Sequence, residues 1–163
     1  MKKTIRLRTS DHTSQLAQAF APIMTAGSVV LLHGVVGAGK THFARQLILT
    51  RLAQIGATED VPSPTFTLVQ TYDVGVLEIW HADLYRLSDV TEVYELGLEA
   101  AFDNAICLVE WPDRLGELVP ENALSITFET LADNERRATL QWTSKPWTPI
   151  VERALQAFEY DNT

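Results

Sequence analysis

Apolar and polar positions repeat with two periods along this chain, and the switches between them mark its strands and helices. Thr4 to Arg8 alternates as a first strand. From Ser10 or Asp11, either able to cap a helix, Leu16, Ala19, Phe20 and Ile23 recur on one helical face to about Met24, and Gly27 closes the segment. Ser28 to His33 is a short apolar run of the kind buried on both sides of a sheet. Beyond it, Phe43, Leu47 and Ile48 stand at helical spacing, predicting a helix over 41–55 that ends near Gly56. Val61-Pro62-Ser63-Pro64-Thr65 is too rich in proline for a helix interior. Phe66 to Tyr72 alternates as a strand, Asp73-Val74-Gly75 reads as a turn and Val76 to His81 as a return strand, together an antiparallel hairpin. Asp89 to Ala101 reads as helix. Ala105 to Val109 is a second buried strand, ending in Glu110-Trp111-Pro112. Ala123 to Glu129 and Ala138 to Thr143 flank the turn Asp133-Asn134, and Pro149 opens a last helix through Phe158.

Buried apolar strands interleaved with helices predict an α/β fold with a mixed, mostly parallel sheet flanked by helices and carrying the hairpin. A chain of 163 residues without repeats, linkers or low-complexity stretches is expected to form one domain, 1–163. A ligand is then expected at the carboxyl ends of the parallel strands.

At one such end, residues 34–41 read Gly-Val-Val-Gly-Ala-Gly-Lys-Thr, matching G-x-x-x-x-G-K-[ST], the phosphate-binding P-loop. Gly37 and Gly39 permit backbone angles that turn successive N–H groups inward around a phosphate. Lys40 neutralises β- and γ-phosphate charge, and the Thr41 hydroxyl can ligate Mg²⁺. Chance yields this pattern in about one chain in a hundred or fewer at this length. The strand before it and the helix after it meet the structural condition, and the helix N-terminus favours bound phosphate. The fold expected is therefore P-loop NTPase-like.

Such sites need an acid near the metal, and two compete. Glu110 ends the apolar run 105–109 and is the better match to a buried parallel strand. Asp83 follows the more polar Leu77 to Ala82. With Glu110 in the metal shell, directly or through water, Asp83 is free to hold the attacking or a metal-bound water. Thr65, between Pro64 and Phe66, either senses the γ-phosphate as a switch residue or bonds its own backbone in a turn. Trp111 can stack on a base or partner, though packing is the simpler reading. His33 and His81 read as structural. No Asn-Lys-x-Asp occurs, so ATP is favoured over GTP.

The formal net charge of −8 weighs against autonomous binding of DNA or RNA, although Arg6, Arg8, Lys40, Arg45 and Arg51 gather in the N-terminal third. No apolar run approaches the ~20 residues of a membrane span, and no apolar core follows Met1-Lys2-Lys3 as in a signal peptide. One cysteine, Cys107, lies within an apolar run, and the histidines lack zinc-site spacing. A cytoplasmic protein is expected.

Residues 33–41, Ser63-Pro64-Thr65-Phe66-Thr67-Leu68-Val69, His81-Ala82-Asp83-Leu84-Tyr85-Arg86-Leu87, Glu95-Leu96-Gly97-Leu98 and 105–112 occur in the order found in one family. Together they resemble the bacterial tRNA threonylcarbamoyladenosine (t6A) biosynthesis ATPase family, TsaE or YjeE, over about residues 28 to 112. The resemblance implies an ATPase, slow alone, that supports multiple turnovers of the TsaD–TsaB complex in t6A formation at adenosine 37 of ANN-decoding tRNAs. The tRNA would be met only indirectly, through these partners. It implies Mg²⁺ at Thr41 and Glu110, phosphates at Gly37, Ala38, Gly39, Lys40 and Thr41, and Asp83, Thr65 and Trp111 in the active site. Asp11 to Thr13 and an arginine near Arg137 are placed to touch nucleotide. His42 stands where the family has a small Ser or Thr; its backbone keeps the phosphate-binding role. Val35 and Val36 replace an acid and a leucine common in the family, which puts any role of that acid in doubt.

Two other functions fit a P-loop. A small-molecule kinase usually carries a lid with several arginines, whereas only Arg114, Arg136, Arg137 and Arg153 follow residue 113. A non-catalytic ATP-dependent assembly adaptor would bind nucleotide without releasing phosphate.

Overall fold

The computed structural model describes residues 1–161; the last two of the expected domain lie outside the described residues. In chain order it contains β1 (Lys2–Leu7), α1 (Ser10–Phe20), β2 (Val29–His33), α2 (Lys40–Gln54), β3 (Val69–Asp73) and β4 (Glu78–Asp83). There follow α3 (Thr91–Leu96), α4 (Leu98–Asn104), β5 (Ile106–Glu110), β6 (Leu124–Thr130), β7 (Arg136–Gln141) and α5 (Trp147–Asp161).

The strands form one sheet in the order β1-β7-β6-β2-β5-β4-β3. The central strands β4, β5, β2 and β6 are parallel. Since β7 is antiparallel to both β6 and β1, β1 also points their way, and only β7 and β3 run opposite. β3 and β4 are the expected hairpin. Alternating side chains buried on both faces explain why β2 is apolar from Val29 to Leu32. Its Val30 and Leu32 join the core made with Leu16 and Phe20 of α1, Phe43 and Leu47 of α2 and Val151 of α5. Val29 and Leu31 face the opposite side, against Val93, Leu98 and Phe102 of α3 and α4. β2 therefore ends, at its carboxyl tip, between two helical layers.

Several element boundaries differ from the periodicity. The N-cap of α1 is Thr9, whose Oγ1 accepts the His12 N–H at 3.3 Å, not Ser10 or Asp11. The strand expected over 66–72 starts only at Val69. Before it the chain turns, with the Leu68 N–H on the Pro64 carbonyl at 2.8 Å and Leu68 itself at φ 66°. The return strand runs on to Asp83, which pairs in register with Glu110. The helix expected over 89–101 is two short helices separated at Gly97, which has φ 79° beside the Trp80 ring. Helix α5 begins at Trp147, so Pro149 occupies its first turn, where its missing N–H is not needed.

Candidate functional site

β2 runs straight into the glycine loop, and α2 begins at Lys40. Gly34, with φ 143°, passes so close to β6 that a Cβ there would lie 2.7 Å from the Phe128 carbonyl oxygen. The loop's outer side is held from β7: Arg136 donates from Nε to the Ala38 carbonyl at 3.1 Å and from Nη2 to the Gly37 carbonyl at 3.2 Å. The Lys40 ammonium donates to the carbonyls of Gly34 and Val35 and sits 3.7 Å from the centre of the Trp111 ring, a cation–π contact. Burial pushes the Lys40 pKa below its ordinary value, against the opposing pull of Glu110, Asp83 and Asp113.

Parallel pairing brings the two acids side by side at adjacent strand ends, Asp83 in register with Glu110. Glu110 is buried and has a partner on each oxygen: Thr41 Oγ1 donates to Oε1 at 2.7 Å, and His81 Nε2 lies 2.7 Å from Oε2. Asp83 accepts the Tyr85 N–H at 3.0 Å and the Thr65 hydroxyl at 3.4 Å, and Thr65 is 2.7 Å from Ser63 Oγ. The tie from Arg45 Nε on α2 to the Val61 carbonyl, 2.9 Å, anchors the strap that carries Ser63 and Thr65 over the site.

Two cavities flank the loop. The first, about 430 Å³, is lined by Lys40, Thr41, Thr65, Asp83, Glu110 and Trp111, with Ser63 and Tyr85 completing its wall. The second, about 600 Å³, lies between Arg8, Thr9, Thr13, Asp133, Asn134 and Arg136. They share Gly37, Gly39 and His42. The arrangement offers the N-terminus of α2, one ammonium, and two carboxylates each hydrogen-bonded to a threonine hydroxyl, a set suited to an oxyanion and an associated cation.

The expected residues are mostly assembled here. Ala38 lies behind the loop, fully buried, with its carbonyl turned to Arg136. Asp11 and Arg137 line neither cavity. Asp11 is exposed on the first turn of α1. Arg137 is ion-paired with Glu129 at 2.9 Å on the exposed opposite side of β7, because successive strand residues face opposite ways; the arginine at the loop is Arg136. Trp111, with left-handed φ 57°, is half-buried: it packs against the core on the α3–α4 side of the sheet, as the packing reading expected, and also lines the first cavity 4.8 Å from the Tyr85 ring. Ser63 and Tyr85 stand in the sequence motifs, Arg8 and Arg136 among its arginines and Asn134 in its turn, but none of the five had a site role on sequence grounds.

A strand, a glycine loop and a helix that starts with Lys-Thr, beside an acid at the tip of the neighbouring parallel strand, define a P-loop NTPase-like α/β protein. The chain belongs to the family of the threonylcarbamoyl adenosine biosynthesis protein TsaE, whose model matches residues 7–138. It is 38% identical over 130 residues to the tRNA threonylcarbamoyladenosine biosynthesis protein TsaE of Rickettsia bellii, covering 80% of this chain and 88% of that one. The protein of the same name from Bacillus subtilis is 36% identical over 140 residues, 84% of this chain and 85% of that one. Among solved structures, that of Bacillus subtilis YdiB superposes with a TM-score of 0.78 at 28% identity, covering 96% of this chain and 95% of that one. No helix among the described residues is long and apolar enough to cross a membrane.

Proposed function

We propose that this chain binds ATP with Mg²⁺ and hydrolyses it slowly alone and faster with TsaD and TsaB, supporting repeated rounds of t6A formation on tRNA. The observation that carries this reading is the 2.7 Å contact between Thr41, the first helical residue after Lys40, and Glu110 at the tip of β5. The donor set, a threonine hydroxyl and a carboxylate 2.7 Å apart, fits Mg²⁺, a hard cation that takes oxygen ligands and usually one or two carboxylates, with phosphate and water supplying the rest. Thr41 and Glu110 would hold it. Bound there, Mg²⁺ neutralises charge on the transferred phosphoryl group.

The other roles follow from the protein's own contacts. Lys40 exchanges the Gly34 and Val35 carbonyls for phosphate oxygens, gaining a charged partner. Loop N–H groups of Gly37, Gly39, Lys40 and Thr41 bind the phosphates, while that of Ala38 donates to the Val35 carbonyl at 3.1 Å and shapes the loop. Asp83 accepts a proton-side hydrogen bond from water and orients it, while Thr65, 3.4 Å from Asp83, reports the γ-phosphate. The second cavity receives the nucleoside, with Thr13 and Arg136 on its wall. A net charge of −8 suits a subunit whose tRNA contact runs through partners, in the cytoplasm.

The test is phosphate release from ATP and Mg²⁺, with and without purified TsaB–TsaD, beside Lys40→Ala. Weak release, raised by the partners and lost in the variant, supports the reading. Tight ATP binding without release in either condition replaces it with the adaptor, and a phosphorylated metabolite replaces it with a kinase.

A further inference from the structure

We propose that His81 is a positioning residue: its buried Nε2–H holds Glu110 Oε2, and so keeps Oε1 turned to Thr41 and the metal position. The inference rests on the proposed Mg²⁺–ATP site and adds to it a residue that touches neither nucleotide nor metal.

His81 lies on β4 two residues before Asp83 and is completely buried. Its ring makes one hydrogen bond among the described residues, to Glu110 at 2.7 Å, and its buried Nδ1 has no partner. A carboxylate oxygen accepts, so Nε2 is the donor of this pair, and Nδ1 is the ring nitrogen left without a partner. Burying that nitrogen unsatisfied works against stability, and the ring's one polar contact is to the acid of the site. A lone donor on Oε1 would leave the carboxylate free to rotate about its last bond. Two donors from different strands and helices, Thr41 on α2 and His81 on β4, fix its plane. Partners of this kind orient a metal-associated carboxylate, and their loss typically lowers metal affinity about 10–100-fold.

The variants separate the hydrogen bond from packing. His81→Phe keeps a ring of similar shape without the donor. His81→Gln places an amide N–H near the position of Nε2, and His81→Asn places it near that of Nδ1. ATP binding to the full chain is measured by calorimetry in EDTA and across a Mg²⁺ titration. His81→Phe is expected to bind ATP in EDTA within about twofold of wild type while needing about tenfold more Mg²⁺ for half-maximal tightening. His81→Asn should behave likewise, and His81→Gln should stay within about threefold of wild type. The inference is overturned if His81→Phe keeps the wild-type Mg²⁺ dependence, or if His81→Gln loses as much as His81→Asn. Should His81→Phe fail to give a cooperative melt, the Gln–Asn contrast decides. A wild-type chain that binds no ATP in either condition instead overturns the proposed function itself.

Discussion

Gly34→Ala should be among the most damaging single-methyl changes in this protein, and for a reason unrelated to phosphate. At φ 143° an L side chain is strained by about 1–3 kcal/mol. The new Cβ would also stand 2.7 Å from the Phe128 carbonyl oxygen and 3.1 Å from the Ala38 Cβ. The first of these is backbone in the β6 ladder and cannot swing aside, so overpacking adds about 1–3 kcal/mol. The stiffer unfolded chain returns about 0.4–1 kcal/mol. The net loss is about 1–6 kcal/mol. Gly37→Ala is the control: φ is 81°, but nothing lies within 4 Å of its Cβ position, so only the dihedral strain applies, about 1–3 kcal/mol before the same offset. Urea unfolding followed by circular dichroism measures both. In heat, each kcal/mol lowers Tm by about 2–4 °C for a chain of this size. If Gly34→Ala were no less stable than Gly37→Ala, the close approach of the loop to β6 would not be the reason for glycine at position 34.

Arg136→Ala should weaken ATP binding and raise loop mobility by hydrogen exchange at 37–39, because it removes the donors to the Gly37 and Ala38 carbonyls. Arg137→Ala, breaking only an exposed, solvent-screened pair with Glu129, should leave both binding and the urea midpoint close to wild type; equal effects on binding would refute the assignment of Arg136 to the loop. Cys107 is fully buried, and burial pushes its thiol up to about 12 from an ordinary 9.0. Native protein should therefore resist thiol reagents at pH 8 until denaturant is added. Between those two values the unfolded chain loses a proton that the folded chain keeps, so this thiol makes stability fall as pH rises above about 9. Cys107→Ala should flatten that slope in urea titrations, and an unchanged slope would count against it.

The chain's own order of residues was enough to locate β2, β5 and α2, because a strand covered on both faces must be apolar throughout and a helix face must repeat near every 3.6 residues. It was enough for the loop as well, since Lys40 and Thr41 have their chemistry through a local strand–loop–helix unit. Glu110 and Asp83 were legible as acids at strand ends, and the family motifs around them were legible as strings. What the string could not say was which acid meets Thr41, that Glu110 also meets His81, and that Arg136 rather than Arg137 holds the loop. Each of these is a matter of register or of alternation phase between segments distant in sequence, where a slip of one residue turns a side chain to the other face. The break at Gly97 and the Leu68 turn were hidden similarly, since helical and strand periodicity continue on paper across a residue whose backbone turns left-handed. Local patterns decided which elements form; the ladders between strands decided which side chains those elements bring together.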